Sequence, residues 1–218
     1  MSWQAPSDGP SAEPEPAASA GRPDPSLADV VRERGEPLLH ALSEHLPGAR
    51  RHADGTASLA FAATAPLGLR RERAETIREA ARLHDIGKLY VPAELLVRDP
   101  GGLSPDEAEL VENHYGAAAV LARGAGLPST VAAWLTAVGE RYDGRGPERL
   151  ADEDIPLESR IIRAACGCDA LMGYAEPGTD DAELRRSVVA ALWESVGAEL
   201  DPRVVQALAT ALPESHGT

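Results

Sequence analysis

The sequence predicts an all-α chain, and three observations carry that prediction. Beyond residue 25, apolar residues recur at i, i+3 and i+4 in segment after segment. Ser or Asp stands just ahead of several of these segments, where a helix N-cap is needed. No segment shows the period-two alternation of a half-buried strand, and no internal repeat is visible. At 218 residues the chain is long enough for one domain with a substantial core.

Residues 1–25 carry six of the 18 prolines, Pro6, Pro10, Pro14, Pro16, Pro23 and Pro25, among Ala, Ser, Gly and acids. That composition cannot build a packed element and is expected to be a disordered tail. Residues 26–48 read as an N-terminal helical segment of one or two helices, on Leu27-Ala-Asp-Val-Val-Arg and Leu38-Leu39-His40-Ala41-Leu42, stopped by Leu46-Pro47-Gly48.

The remaining 49–214 form the main domain. An Ala-rich helix is expected from His52 to about Pro66. A second follows over 70–84, with Ile77, Ala81 and Leu83 toward the core, until Gly87 breaks the pattern. After the turn at residues 98–103, Ser104-Pro105-Asp106-Glu107 opens a strong helix: Ser104 caps, Pro105 suits the first turn and Glu107 completes a capping box. His114 is expected late in that helix.

Another helix is expected over 129–140, with Val131, Leu135 and Val138 apolar. The Gly144-Arg145-Gly146-Pro147 loop and Ile155-Pro156 come next, followed by helices near 157–171, 181–196 and 201–212, the last two with Asp at their N-caps. Trp134 and Trp193 stand among apolar neighbours and are expected in the core.

Charge narrows the function. With 35 acidic against 21 basic residues, a net charge of −14 argues against non-specific binding to nucleic-acid polymers or anionic membranes. A negatively charged substrate would need a local positive site, such as a metal, Lys88 or Arg141. No apolar run approaches the roughly 20 residues that span a bilayer, and the start lacks the basic and apolar regions of a signal peptide. A cytoplasmic location is therefore expected. Cys166 and Cys168 stand one residue apart, which disfavours a disulfide between them, and reduced thiols fit that compartment.

His84-Asp85 is the most informative feature, because an imidazole beside a carboxylate makes a compact metal-ligand pair. Of the six His, His40, His45 and His216 lie near element ends or in the tail and read as solvated. His52 and His114 fall on separate helical segments, so three segments can each deliver ligands to one centre. Imidazole plus carboxylate suits iron, manganese, zinc, nickel or cobalt. On a helix Cys166 and Cys168 lie about 200° apart, so one of the two can face such a centre; the plainer reading of both is small buried residues.

Several stretches together resemble a known family. His84-Asp85-Ile86-Gly87-Lys88, then Val91-Pro92, the stretch from Pro100 to Glu107, the stretch from Glu140 to Pro147 and that from Glu153 to Ile162 resemble the HD superfamily of metal-dependent phosphohydrolases, and within it the HD-GYP branch. The likeness covers roughly residues 50–212. It implies an HD-domain helical bundle similar to bacterial phosphodiesterases acting on cyclic di-GMP, with metal ions in a cleft. By position it makes His52, His84, Asp85, His114 and Cys166 the metal-ligand candidates, with Asp85 and Lys88 catalytic. Lys88, Arg141 and Arg145 are the candidates for contact with substrate phosphate.

The chain departs from that pattern where it matters. Val138-Gly139 stands where the family has a His-His pair, Cys166 where it has a metal-binding Asp, and Gly146-Pro147 lacks the Tyr of the Gly-Tyr-Pro signature. The stretch from Met172 to Gly178 lacks the family's basic residues. The resemblance thus implies a depleted site with one divalent ion, iron, manganese or zinc, acting on a phosphoester or nucleotide. A catalytically inactive module with a regulatory role or a protein partner is the alternative.

Overall fold

A computed structural model describes residues 25–173 and 179–212. The predicted tail therefore lies outside the described residues except for Pro25, as do His216 and residues 174–178 of the stretch that lacks basic residues. Among the described residues ten α-helices form: α1 Leu27–His45, α2 Ala49–Thr64, α3 Arg71–Ala81, α4 Ala93–Leu96, α5 Pro105–Glu112, α6 His114–Gly124, α7 Ser129–Ala137, α8 Leu157–Gly173, α9 Asp181–Glu194 and α10 Pro202–Ala211. A 3-10 turn, Ile86–Tyr90, connects α3 to α4. The all-α class is as predicted, an isolated bridge between Val196 and Leu200 aside.

Caps set the helix starts. Ser26 accepts from the Asp29 backbone N–H at 3.1 Å, and the Asp29 carboxylate accepts in return from Ser26 N–H. Ser104 and Glu107 repeat the device at α5, as the sequence predicts. Asp180 and Asp201 cap α9 and α10.

Small residues decide the packing. Ala53, Ala57, Ala60 and Ala63 are buried along one face of α2, so its backbone can approach α3, α8 and α10 closely. At Gly55 a Cβ would stand 1.9 Å from the Asp169 carboxylate of α8. Ile77 on α3 and Ile86 in the 3-10 turn are fully buried, and each such burial stabilises by about 1.5–3 kcal/mol. The His84-Asp85 pair between them is thus pinned from both sides by apolar contacts.

Where the structure differs from the expectation, packing is the reason. The single helix expected from Ser104 is two: it stops at Glu112 and restarts after Asn113, whose ψ is near 0°. His114 therefore opens α6 instead of lying late in a longer helix. Gly87 fits against this restart, where a Cβ would lie 1.7 Å from the His114 carbonyl oxygen and 2.7 Å from the Ala118 nitrogen. No local signal at residues 112–114 encodes that contact.

The segment expected over 26–48 forms one helix, α1, Leu27–His45, with Pro37 inside it, and α1 packs on α3 and the 3-10 turn. Trp134 is buried as expected, but Trp193 is 41% exposed, because α9 turns Val188 and the neighbouring Leu192 inward instead. His45, expected in solvent, is half-buried with Nε2 2.8 Å from the Val91 carbonyl oxygen.

Candidate metal centre

Four separate elements deliver the five ligand candidates to one place. His52 comes from α2, His84 and Asp85 from the turn after α3, His114 from the first position of α6, and Cys166 from α8. The donor atoms of His52, His84 and Cys166 all lie within 4.8 Å of one another, with Cys166 Sγ 3.5 Å from His52 Nε2. Asp85 sits among them: Oδ2 is 3.8 Å from His52 Nε2, and Oδ1 is 3.4 Å from His84 Nε2 and 3.2 Å from His114 Nε2.

The three imidazoles share one orientation device. His84 Nδ1 is 2.8 Å from the Ala81 carbonyl oxygen, His114 Nδ1 is 2.6 Å from that of Val111, and His52 Nδ1 is 2.6 Å from Asp169 Oδ2. An oxygen acceptor at each Nδ1 assigns the proton there and leaves a lone pair on each Nε2. His84 Nε2, His114 Nε2 and Asp85 Oδ1 are buried without any hydrogen-bond partner. Unpaired polar atoms of this kind are costly to bury, and a cation bound among the three would satisfy them. The donor set of imidazole, carboxylate and thiol fits a divalent first-row metal.

Electrostatics points the same way. Burial drives the His84 imidazole down to about 4, against the pull of Asp85, so it stays the neutral donor a metal requires. Burial works against the Asp85 carboxylate, but His84, the Lys88 ammonium and His114 outweigh it, and the group remains ionised well below the ordinary carboxylate range. The Lys88 ammonium is 2.6 Å from Asp85 Oδ2. Burial, and secondarily the Asp85 charge, pushes the Cys166 thiol up to about 12, where it keeps its proton unless a cation binds. Cys168 points into the core, as the helical offset predicts.

The arginines lie elsewhere on the loop that follows α7. Arg141 is held by Asp143 at 2.9 Å and Glu199 at 2.7 Å, whereas the Arg145 side chain is 83% exposed, with Asp143 at 4.0 Å. The loop itself is organised by Glu140, which is buried and accepts from the backbone N–H groups of Glu148 and Leu150.

Sequence reasoning missed Asp169, the orienting carboxylate for His52. Its spacing of three from Cys166 places both on one face of α8, a signal that was available. It also missed Tyr115. That ring lies 3.8 Å from the His114 ring and against Gly139, where a Cβ would be 2.8 Å from Tyr115 Cδ2.

The chain is 39% identical over 148 residues to the cyclic di-GMP phosphodiesterase response regulator RpfG of Xanthomonas campestris pv. campestris, covering 65% of this chain and 38% of that protein. It is 34% identical over 148 residues to the 3'3'-cGAMP-specific phosphodiesterase 2 of Vibrio cholerae, covering 65% of this chain and 27% of that one. The chain thus spans less than two fifths of the length of these relatives.

Among solved structures, the HD domain of the L. monocytogenes phosphodiesterase PgpH, in complex with cyclic-di-AMP, superposes with a TM-score of 0.59 at 17% identity, covering 81% of this chain and 93% of that one. Bd1817, an HDG"Y"P protein from Bdellovibrio bacteriovorus, gives 0.60 at 18% identity, covering 85% and 69%. Both likenesses concern the fold. A family model described as HD domain matches residues 37–204, spanning the His-Asp pair and every candidate ligand, and on that match the chain belongs to the HD-domain family.

Proposed function

We propose that this chain is a metal-dependent phosphohydrolase that opens a phosphodiester bond of a cyclic dinucleotide at a centre holding one ion. The observation that supports the reading is the gathering of three imidazole Nε2 atoms around the ionised Asp85, with His84 Nε2, His114 Nε2 and Asp85 Oδ1 buried and without a hydrogen-bond partner. The relatives, whose names specify cyclic di-GMP and 3'3'-cGAMP, support that substrate class.

His52, His84, Asp85 and Cys166 would hold the ion, with His114 at its edge. A divalent metal there supplies Lewis-acid polarisation of the phosphoryl oxygen and a nucleophile at neutral pH. Thiolate among the ligands favours zinc over manganese or iron. Lys88, partly exposed and paired with Asp85, would meet a phosphate oxygen as that pairing loosens. Asp169 fixes the His52 ring so that its lone pair stays directed inward. Arg145, exposed and only loosely paired with Asp143, would meet a second phosphate, while Arg141, committed to Asp143 and Glu199, shapes the loop.

No helix among the described residues is long and apolar enough to cross a membrane, which is compatible with action in the cytoplasm on a diffusible nucleotide. A second reading, an inactive HD-domain module with a protein partner, draws support from Gly139, which offers no donor where the family pattern has one.

Hydrolysis of cyclic di-GMP and 3'3'-cGAMP by zinc- and manganese-loaded protein decides between them. Linear dinucleotide released by the wild type and not by His84→Ala/Asp85→Ala supports the enzyme. No turnover, with a partner captured equally by both proteins, supports the module.

A further inference from the structure

We propose that Tyr115 limits the centre to one metal ion, by filling the space from which a side chain at position 139 would complete a second site. The proposal rests on the metal-dependent reading above and adds the residue that sets its stoichiometry.

Beyond the group of His52, His84 and Cys166 there is a second pair of buried, unpartnered donor atoms: Asp85 Oδ1 and His114 Nε2, 3.2 Å apart. Two donors do not hold a divalent ion tightly, and protein sites for such metals supply three or four. The third would have to come from an element beside His114. The C-terminal end of α7 is that element: Tyr115 follows His114 directly, stacks on its ring at 3.8 Å with an interplanar angle of 38°, and reaches Gly139.

A side chain at position 139 would crowd the Tyr115 ring. A Cβ there would lie 2.8 Å from Tyr115 Cδ2, 3.3 Å from Cγ and 3.4 Å from Cβ, distances that involve the root of the ring and not its mobile tip. The neighbouring Val138 is fully buried and apolar. Its carbonyl oxygen is already taken by Arg163 at 3.1 Å. The residues at 115 and 139 therefore compete for one space: the ring at 115 favours glycine at 139. With the ring in place, the Asp85–His114 pair stays at two donors, and His114 serves the first ion's surroundings instead of a second ion.

Metal equivalents per chain, measured by plasma mass spectrometry after zinc loading of the full chain, test this on wild type, Tyr115→Ala, Gly139→His and Tyr115→Ala/Gly139→His. One equivalent is expected in the wild type and in Tyr115→Ala, with no gain in Gly139→His. Two are expected in the double variant, where an imidazole replaces the ring.

Two equivalents in the wild type, or one in a folded double variant, overturn the role of Tyr115 while leaving a metal-dependent hydrolase standing. No metal in any of the four proteins overturns both. If the double variant does not fold, a smaller cycle decides. Gly139→Ala should lower Tm by a few degrees in the wild type and by less than half as much in Tyr115→Ala. Equal shifts in both backgrounds overturn the proposal.

Discussion

His52 and Asp169 lie 117 residues apart in the chain and meet at 2.6 Å, Nδ1 to Oδ2, through helices α2 and α8. The contact requires Gly55, because the same carboxylate occupies the space a Cβ would need there. One acidic side chain thus sets both the approach of two helices and the direction in which an imidazole presents its lone pair.

Removing that charge should weaken metal binding without unfolding the chain. Asp169→Asn keeps the shape but loses the carboxylate that holds the Nδ1 proton, and loss of such an orienting partner costs roughly 10–100-fold in affinity. A zinc titration against a competing chelator measures it. Unchanged affinity would mean that His52 does not depend on Asp169 for its tautomer.

Cys166 should govern which metal is chosen. Cys166→Asp replaces a soft ligand by a hard one, so from an equimolar mixture of zinc and manganese the wild type should retain mainly zinc and the variant a larger manganese share. Metal analysis of the two proteins after the same exposure settles it, and identical metal ratios would remove Cys166 from the ligand set.

Gly87→Ala should be severely destabilising. Its Cβ would meet backbone atoms on α6 at 1.7 and 2.7 Å, and neither can move without shifting the helix. The expected loss is about 3 kcal/mol, read from the urea midpoint. A loss within experimental scatter would show that the 3-10 turn can separate from α6.

Helix α5 should melt locally in acid. It buries no residue of its own and relies on its capping box. The Glu107 carboxyl lies below its ordinary range because the Ser104 backbone N–H donates to it and Arg98 pairs with it. A carboxyl lowered on folding contributes stability that is complete above its unfolded pKa and is lost as pH falls through the folded one. Below about pH 4, amide exchange over residues 105–112, corrected for the intrinsic rate, should speed up relative to α8. Ser104→Ala should do the same at neutral pH, at a cost of about 1 kcal/mol. Equal changes in α8 would mean that the effect is global.

The parts of this molecule that announce themselves locally were legible. Ser104 and Glu107 spell a capping box, the alanines of α2 keep helical period, and Cys166 and Cys168 diverge by the geometry of a helix. His84-Asp85 and its two distant His partners were found because metal chemistry restricts residue types. What escaped was decided across the fold. The break at Asn113 answers to Gly87, 26 positions earlier, and Tyr115 has meaning through Gly139. Trp193 reads as core by its neighbours, but α9 presents a narrow face to the rest of the chain.

The centre also has a mechanical side. His52 and Cys166 stand 114 residues apart with donor atoms 3.5 Å from each other, and both cysteines of the chain are free. An ion gripping the two would staple the first third of the fold to its last third. Cross-links that close loops of about 100 residues stabilise by roughly 4–5 kcal/mol in chain-entropy terms, and an ion that binds the folded chain alone adds its own mass-action contribution. Metal scarcity would then shorten the lifetime of the folded protein.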